Sequence, residues 1–310
     1  MSTAIYYPTW SAPWTSDPKD MTITKIDVNI IYLAFANQTT NYYKNQKSFV
    51  GTGLEFSQDF SVVAAAIKIC TSKGIKVMLS VGGGAYWSNH GSKLNASSCV
   101  ALMEDLGCSG IDIDWESTAA VDYELTKAIR DIKYELPKGK YLSFAGFSTG
   151  AYGKDGDIYK GNAINAMSEC GSLVDWINIM AYDAGPNYDP RGAFECYKIY
   201  YNGPLYLGFE PGNQAWGGHV ITEQEVEKNT YFVKAQGPEH GIFIWCYGKG
   251  GDDKGPSAAQ VLSISKTILG GDKAPPPYPP MPPPQPPQPT PPATVSITCP
   301  VCSTKYVGSK

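Results

Sequence analysis

Three carboxylates occupy every second position of the segment Gly110-Ile111-Asp112-Ile113-Asp114-Trp115-Glu116. The residues between them are two isoleucines and a tryptophan, as in a buried β-strand. Strand side chains alternate between faces, so Asp112, Asp114 and Glu116 point one way, with roughly 6–7 Å between successive members. Ile111, Ile113 and Trp115 point the other way. Acidic side chains are seldom buried unless something pairs with them, and desolvating a carboxylate is costly. Neighbouring carboxyls in a dry site cannot all ionise, so at least one keeps its proton near neutral pH and the row titrates as a coupled set. Glu116, last in the row, is the candidate general acid. Asp114 is the candidate to accept or share a proton below it, with Asp112 as support. A satisfied structural ion-pair cluster and a metal site are the competing readings. The chain has only three histidines, His90, His219 and His240, and none is spaced from this strand as a ligand set would be. No metal and no cofactor is expected.

The acids need a scaffold. Short β-like runs recur along the chain: TAIYYPTW, NIIYLAFAN, IKVMLSVGG, GIDIDWE, YLSFAGFS, WINIMAYD, PLYLGFEP and GIFIWCYG. Longer helix-compatible stretches follow them, including FSQDFSVVAAAIKIC, Asn95 to Leu106, YELTKAIRDIKYEL and EQEVEKNTYFVKAQ. Alternation of this kind implies parallel βαβ units. Eight of them over about 270 residues suit a closed (β/α)8 TIM barrel. An open doubly wound sheet is the alternative, but it usually has a glycine-rich phosphate loop after its first strand, and YYPTWSAPW is not one. In a barrel the apolar set of GIDIDWE faces the helices and the acids face the interior. Glu116 then lies toward the C-terminal ends of the strands, where barrel enzymes carry their chemistry.

Composition limits the other possibilities. The chain has 310 residues, 43% of them hydrophobic, and a formal net charge of −4 with its lysines and arginines scattered. Neither the basic stripe of a nucleic-acid binder nor a polybasic membrane patch is present. No apolar run is long enough for a membrane span. MSTAIYYPTW lacks the charged and apolar regions of a secretory leader. The expectation is a cytoplasmic protein, one released by a non-classical route or one carried in a larger particle. Six cysteines are dispersed through the first 271 residues and read mainly as buried thiols, with a disulfide between some pair left open. Three regions are expected: a barrel over 1–271, a proline-rich linker over 272–293 and a short cysteine-containing tail over 294–310. The linker cannot build helix or sheet, and as polyproline II its proline-dominated part would reach roughly 60 Å. The tail has a single CxxC, Cys299 to Cys302. It reads as a docking or targeting peptide with a possible protein partner, ahead of a zinc or redox pair.

With these residues set out, the chain resembles the family 18 glycoside hydrolases, the chitinase family. Its DGxDxDxE signature corresponds to Ser109 through Glu116. Ser80-Val81-Gly82-Gly83 matches the SxGG of the third strand, and Met180-Ala181-Tyr182-Asp183 the MxYD of the sixth. Trp245 matches the tryptophan of the eighth. One position departs: Ser109 stands where the signature has its first acid, out of phase with the row that faces inward. The resemblance covers residues 1 to about 271. It implies a retaining, substrate-assisted hydrolase of β-1,4-linked N-acetylglucosamine polymers such as chitin. Glu116 would act as the acid. Asp114 and Tyr182 would hold the substrate's acetamido group, with Asp112 beneath them. Trp245 would floor the sugar site, with Met180, Asp183, Tyr6, Phe35 and Trp87 as further contacts. Trp10, Trp14, Tyr86, Tyr188 and Trp216 are candidates for an extended groove. Only about thirty residues separate the seventh and eighth strands, which favours an open groove and endo cleavage. The alternatives are a non-catalytic glycan-binding member, which would commonly have lost the final glutamate, and an endo-β-N-acetylglucosaminidase acting on N-glycans.

Overall fold

The structure is a computed structural model. It describes residues 1–11, 14–87, 94–117, 122–153, 159–185, 188–214, 219–252, 254–271, 294–298 and 305–309. Eight parallel strands close into a barrel in sequence order: β1 (Ser2–Pro8), β2 (Ile30–Ala36), β3 (Lys76–Gly82), β4 (Gly110–Asp114), β5 (Tyr141–Phe147), β6 (Trp176–Met180), β7 (Leu205–Phe209) and β8 (Gly241–Ile244), with β8 pairing back to β1. The described helices are α1 (Phe60–Ser72), the single turn α2 (Gly84–Trp87), α3 (Ala96–Leu106), α4 (Asp122–Glu135), α5 (Ile164–Cys170), α6 (Pro190–Tyr200), α7 (Glu223–Gln236) and α8 (Ala258–Gly270).

The first crossover departs from the simple alternation. Among the described residues between β1 and β2 the only helical element is a 3-10 turn, Thr22–Lys25. The sequence there, SAPWTSDPKDMTITKID, carries two prolines and several turn formers, which oppose a continuous helix.

Period-two alternation sorts every strand between two cores. Ile5, Tyr7, Ile111, Ile113, Trp115, Ile177 and Ile179 lie in the layer between sheet and helices. Ala4, Tyr6, Tyr32, Met78, Ala145, Trp176, Met180, Tyr206 and Phe243 fill the barrel interior. Helix ends are fixed locally. Asn95 caps α3 through Ser98 N–H, and Gly107 ends it in the left-handed conformation at φ 75°. Thr222 and Ser257 open α7 and α8 with reciprocal capping boxes to Glu225 and Gln260, each satisfying donors that a helix start leaves unpaired.

Six cysteines, Cys70, Cys99, Cys108, Cys170, Cys196 and Cys246, are free thiols, and burial pushes Cys99 and Cys108 up to about 12. No described helix is long and apolar enough to cross a membrane. The proline-rich segment, Cys299 and Cys302 lie outside the described residues. On either side of that CxxC, β9 (Thr294–Thr298) and β10 (Lys305–Ser309) pair antiparallel.

Candidate active site

Register brings the site together. Asp112 of β4 lies level with Ser80 of β3 and Ser143 of β5, so all three project inward in one layer. Ser80 donates to Asp112 Oδ2 at 2.8 Å and Ser143 to Oδ1 at 2.7 Å. From across the barrel, the Tyr6 hydroxyl donates to Oδ2 at 2.8 Å and the Asn178 amide to Oδ1 at 3.3 Å. The network continues downward. Asn178 Nδ2 also donates to the Tyr6 oxygen at 3.1 Å, Tyr32 donates to Asn178 Oδ1 at 3.1 Å, and the Trp176 indole donates to the Tyr32 oxygen at 2.7 Å. Asp112 is 0% exposed. Burial raises its proton affinity, and the bonds from Ser143, Ser80, Tyr6 and Asn178 pull it back.

Asp114 stands two residues higher and is treated differently. It is 4% exposed, and its Oδ1 has no hydrogen-bond partner. Burial, then the charges of Glu116 and Asp112, hold its carboxyl well above the usual range. A buried carboxyl with one oxygen unpaired and two acidic neighbours keeps its proton. Glu116 stands beyond the last hydrogen-bonded residue of β4 and is half-buried. Burial raises its proton affinity, a hydrogen bond from the Gly84 N–H lowers it, and the charge of Asp183 raises it. This is the ladder of environments that acid catalysis needs: a well-solvated-by-protein acid at the base, an orphaned one above it, and a half-open one on top that can reach a substrate.

The close approach of the β3 turn depends on glycine. Gly83 has φ +80°, and a Cβ there would lie 2.7 Å from the Phe35 ring. Gly84 opens α2, and a Cβ on it would lie 3.0 Å from Glu116 Oε2. The close backbone approach at this turn is therefore directed at Phe35 and at the acid itself.

Aromatic rings form one wall. Trp245, just past β8, stacks on Phe35 with centroids 5.5 Å apart and planes at 21°, and meets Tyr6 edge-on at 5.7 Å. Trp10 lies 6.4 Å from Phe35 and is 51% exposed, so it extends the wall toward solvent. Tyr182 packs edge-on against Phe243 at 6.1 Å. Burial, with the negative charge of Asp114 next, holds its phenol well above its ordinary value, so its O–H remains a donor. Met180 is buried in the interior cluster beneath these rings. Asp183 leaves the strand with φ 53° and donates its N–H to Gln214 Oε1 at 2.7 Å.

Some expected contacts have other places. Tyr6 is 2% exposed and carries Asp112 from below. Trp14 is buried against Tyr7 and Phe56 and donates its indole N–H to the Thr9 carbonyl at 2.9 Å. It belongs to the outer core and not to a groove. Tyr86 is tied to the loop at Gly53 through its hydroxyl, at 3.4 Å. The Tyr188 hydroxyl is buried. Trp216 and the side chain of Trp87 lie outside the described residues. Ser109 sits at the foot of β4, where its Oγ accepts the Val77 N–H at 3.2 Å, so the missing acid is replaced by a strand-to-strand bond. Sequence reading passed over Ser143 and Glu210. A polar residue at an interior-phase position of β5 was the available signal for Ser143.

The sequence profile of Glycosyl hydrolases family 18 matches residues 2–244. Endochitinase 1 of Metarhizium robertsii is 28% identical over 155 residues, 46% of this chain and 34% of that protein. Chitinase 1 of Aphanocladium album is 32% identical over 125 residues, 36% of this chain and 29% of that protein. The chain thus spans about a third of the length of the curated relatives it matches. Among solved structures, a fungal endo-beta-N-acetylglucosaminidase superposes with a TM-score of 0.62 at 15% identity, covering 87% of this chain and 98% of that one. A putative Chitinase A from Streptomyces coelicolor gives 0.60 at 18%, covering 87% and 97%. From the closed barrel, the inward acid row and a profile match that spans all eight strands, the chain belongs to glycosyl hydrolase family 18.

Proposed function

We propose that this chain is a retaining hydrolase of β-1,4-linked N-acetylglucosamine polymers, chitin above all, acting by substrate assistance and in endo mode. The observation that carries the reading is the position of Glu116: a half-buried carboxyl of raised proton affinity at the top of the acid row.

The chemistry follows from the side chains. Glu116 gives its proton to the glycosidic oxygen as the bond from that oxygen to the anomeric carbon breaks. The acetamido oxygen of the same sugar bonds to the anomeric carbon from the opposite face, giving an oxazolinium ring. Family 18 hydrolases are exceptions to the two-carboxylate scheme for this reason. Positive charge develops on that ring beside Asp114, whose proton affinity is held up by burial and by the negative charges around it. That cation favours a carboxylate at Asp114, so the proton Asp114 holds in the free chain passes to the Asp112 carboxylate below it, and the freed Asp114 carboxylate accepts the acetamido N–H and offsets the ring's charge. Tyr182 supplies an O–H for the acetamido oxygen. Glu116, now a carboxylate, takes a proton from water as that water bonds to the anomeric carbon and opens the ring. Two inversions leave the configuration retained.

Trp245 and Phe35 offer stacked faces to a sugar ring, and exposed Trp10 continues them. Among the described residues only α7 intervenes as regular structure between β7 and β8, which supports an open cleft and internal cleavage. The core of an N-glycan presents the same 2-acetamido sugar, so a glycoprotein belongs beside chitin in the assay. The test is turnover of a fluorogenic chitotrioside by the protein and by Glu116→Gln. A loss of about 10³-fold is expected, the scale on which a positioned general acid contributes. Equal signals would make the chain a binding protein. Release of disaccharide alone from one end of a long oligomer would overturn the endo mode, and cleavage of glycoprotein but not chitin would move the substrate to N-glycans.

A further inference from the structure

Glu210 follows β7 directly and has no part in the chemistry above. It is 1% exposed. Its Oε1 is ion-paired with Lys249 Nζ. Its Oε2 is buried and receives no hydrogen bond. An orphaned oxygen on a buried, ion-paired carboxyl calls for a donor. The neighbour in reach is another carboxyl, that of Asp183. Two carboxylates cannot satisfy each other, since both only accept. A carboxyl and a carboxylate can, because the protonated partner has an O–H to give. One shared proton leaves the pair with a single negative charge, which the single ammonium of Lys249 balances.

We propose that Glu210 is a positioning residue: it shares one proton with Asp183, with Lys249 as counter-ion, and so sets the negative charge that stands beside Glu116 and Tyr182. The inference rests on Glu116 being the acid. Asp183 is gripped from two sides, by Glu210 at its carboxyl and by Gln214 at its N–H. Its charge raises the proton affinity of Glu116, and the charge of Glu210 raises that of Tyr182.

The groups around Glu210 define what else could titrate. Tyr182 and Asp183 face it from the end of β6, and Cys246 and Lys249 from the segment after β8. A cavity of about 250 Å³ that Glu210 also lines contains Asp189, His219, Glu225 and Lys228. His219 is bonded to Glu225 at 2.7 Å, and Asp189 is paired with Arg191. Burial lifts the Glu210 carboxyl to about 7 against the pull of Lys249. Below that pH the pair holds its proton. Above it a second negative charge appears beside Asp183, which strengthens the hold of Glu116 on its own proton and extends activity to higher pH.

Glu210→Gln freezes the pair in its protonated form, because the amide donates to Asp183 at every pH. The experiment is kcat/KM on a chitooligosaccharide from pH 5 to pH 9, with thermal melting as the folding control. The variant should stay within about twofold of the parent at pH 6 and fall about fivefold or more below it at pH 8. His219→Gln should keep the parent profile. A ratio that is constant across pH, or the same loss in His219→Gln, would overturn the proposal. Infrared difference spectroscopy reads the pair without activity. A carboxylic-acid carbonyl band that titrates near pH 7 should be present in the parent and missing from both Glu210→Gln and Asp183→Asn, and its survival in either would equally refute a shared proton. If Glu116→Gln proves as active as the parent, the functional reading fails, while the infrared result still decides the pair.

Discussion

Asp112→Ala removes an acceptor on which Tyr6, Ser80, Ser143 and Asn178 converge from four strands. Each donor left unpaired in a dry interior costs ~1–3 kcal/mol. The variant also relieves the burial of a carboxyl whose proton affinity is raised, which argues for the low end, about 4 kcal/mol in all. For a domain of this size that lowers Tm by roughly 8–16 °C. Asp112→Asn behaves differently. Its carbonyl takes the Oδ1 place, where the Asn178 amide can only donate. Its NH2 takes the Oδ2 place, where both partners are hydroxyls that can turn to accept. The cost should then be about 1 kcal/mol or less, or about 2–4 °C. Circular dichroism melts of the parent and both variants at pH 6 make the measurement. Equal losses in the two variants, or no loss in Asp112→Ala, would mean that the network contributes no stability and that the convergence is incidental.

Asp114→Asn should gain stability while losing activity. The folded-state proton affinity of Asp114 is raised, so the native chain holds a proton that the unfolded chain has released. Stability therefore falls as pH rises above the ordinary aspartate value, and the amide escapes that loss. Its Tm should exceed the parent's at pH 7 and match it near pH 3.5, with kcat lower by ~10²-fold; a lower Tm at pH 7 would contradict the assignment. Gly84→Ala places a methyl 3.0 Å from Glu116 Oε2 and should displace the acid by a few tenths of an ångström. A fall of about three- to tenfold in kcat with unchanged KM is expected, read by steady-state kinetics, and an unaffected kcat would show that the acid tolerates the shift. Trp245→Ala removes the face that stacks on Phe35 and should raise KM about tenfold, or ~1.4 kcal/mol, while leaving the pH profile in place; an unchanged KM for short and long oligomers would take Trp245 out of the sugar site.

Much of this molecule follows from local pattern. Period two in GIDIDWE placed Ile111, Ile113 and Trp115 in the outer core and Asp112 and Asp114 in the interior. That result needs only the pleat of a strand and the cost of burying charge. The same alternation located β1 to β8, and among the described residues a helix is missing where the sequence carries prolines in the first crossover. Closure of the sheet supplied the rest. Tyr6, Ser80, Ser143 and Asn178 lie between 31 and 106 residues from Asp112, and only the register of a closed barrel brings them into one layer. Trp14 and Trp10 look alike in a loop sequence, yet one is buried in the outer core and the other is open to solvent, because one ring meets Tyr7 and Phe56 and the other only the edge of the wall at Phe35. Glu210 reads as one more charge at a strand end. Its meaning comes from Lys249 and Asp183, brought beside it by different strands. Local periodicity can say which face a side chain takes, but pairing between distant strands is a property of the closed sheet, and the proton balance of the site depends on that pairing.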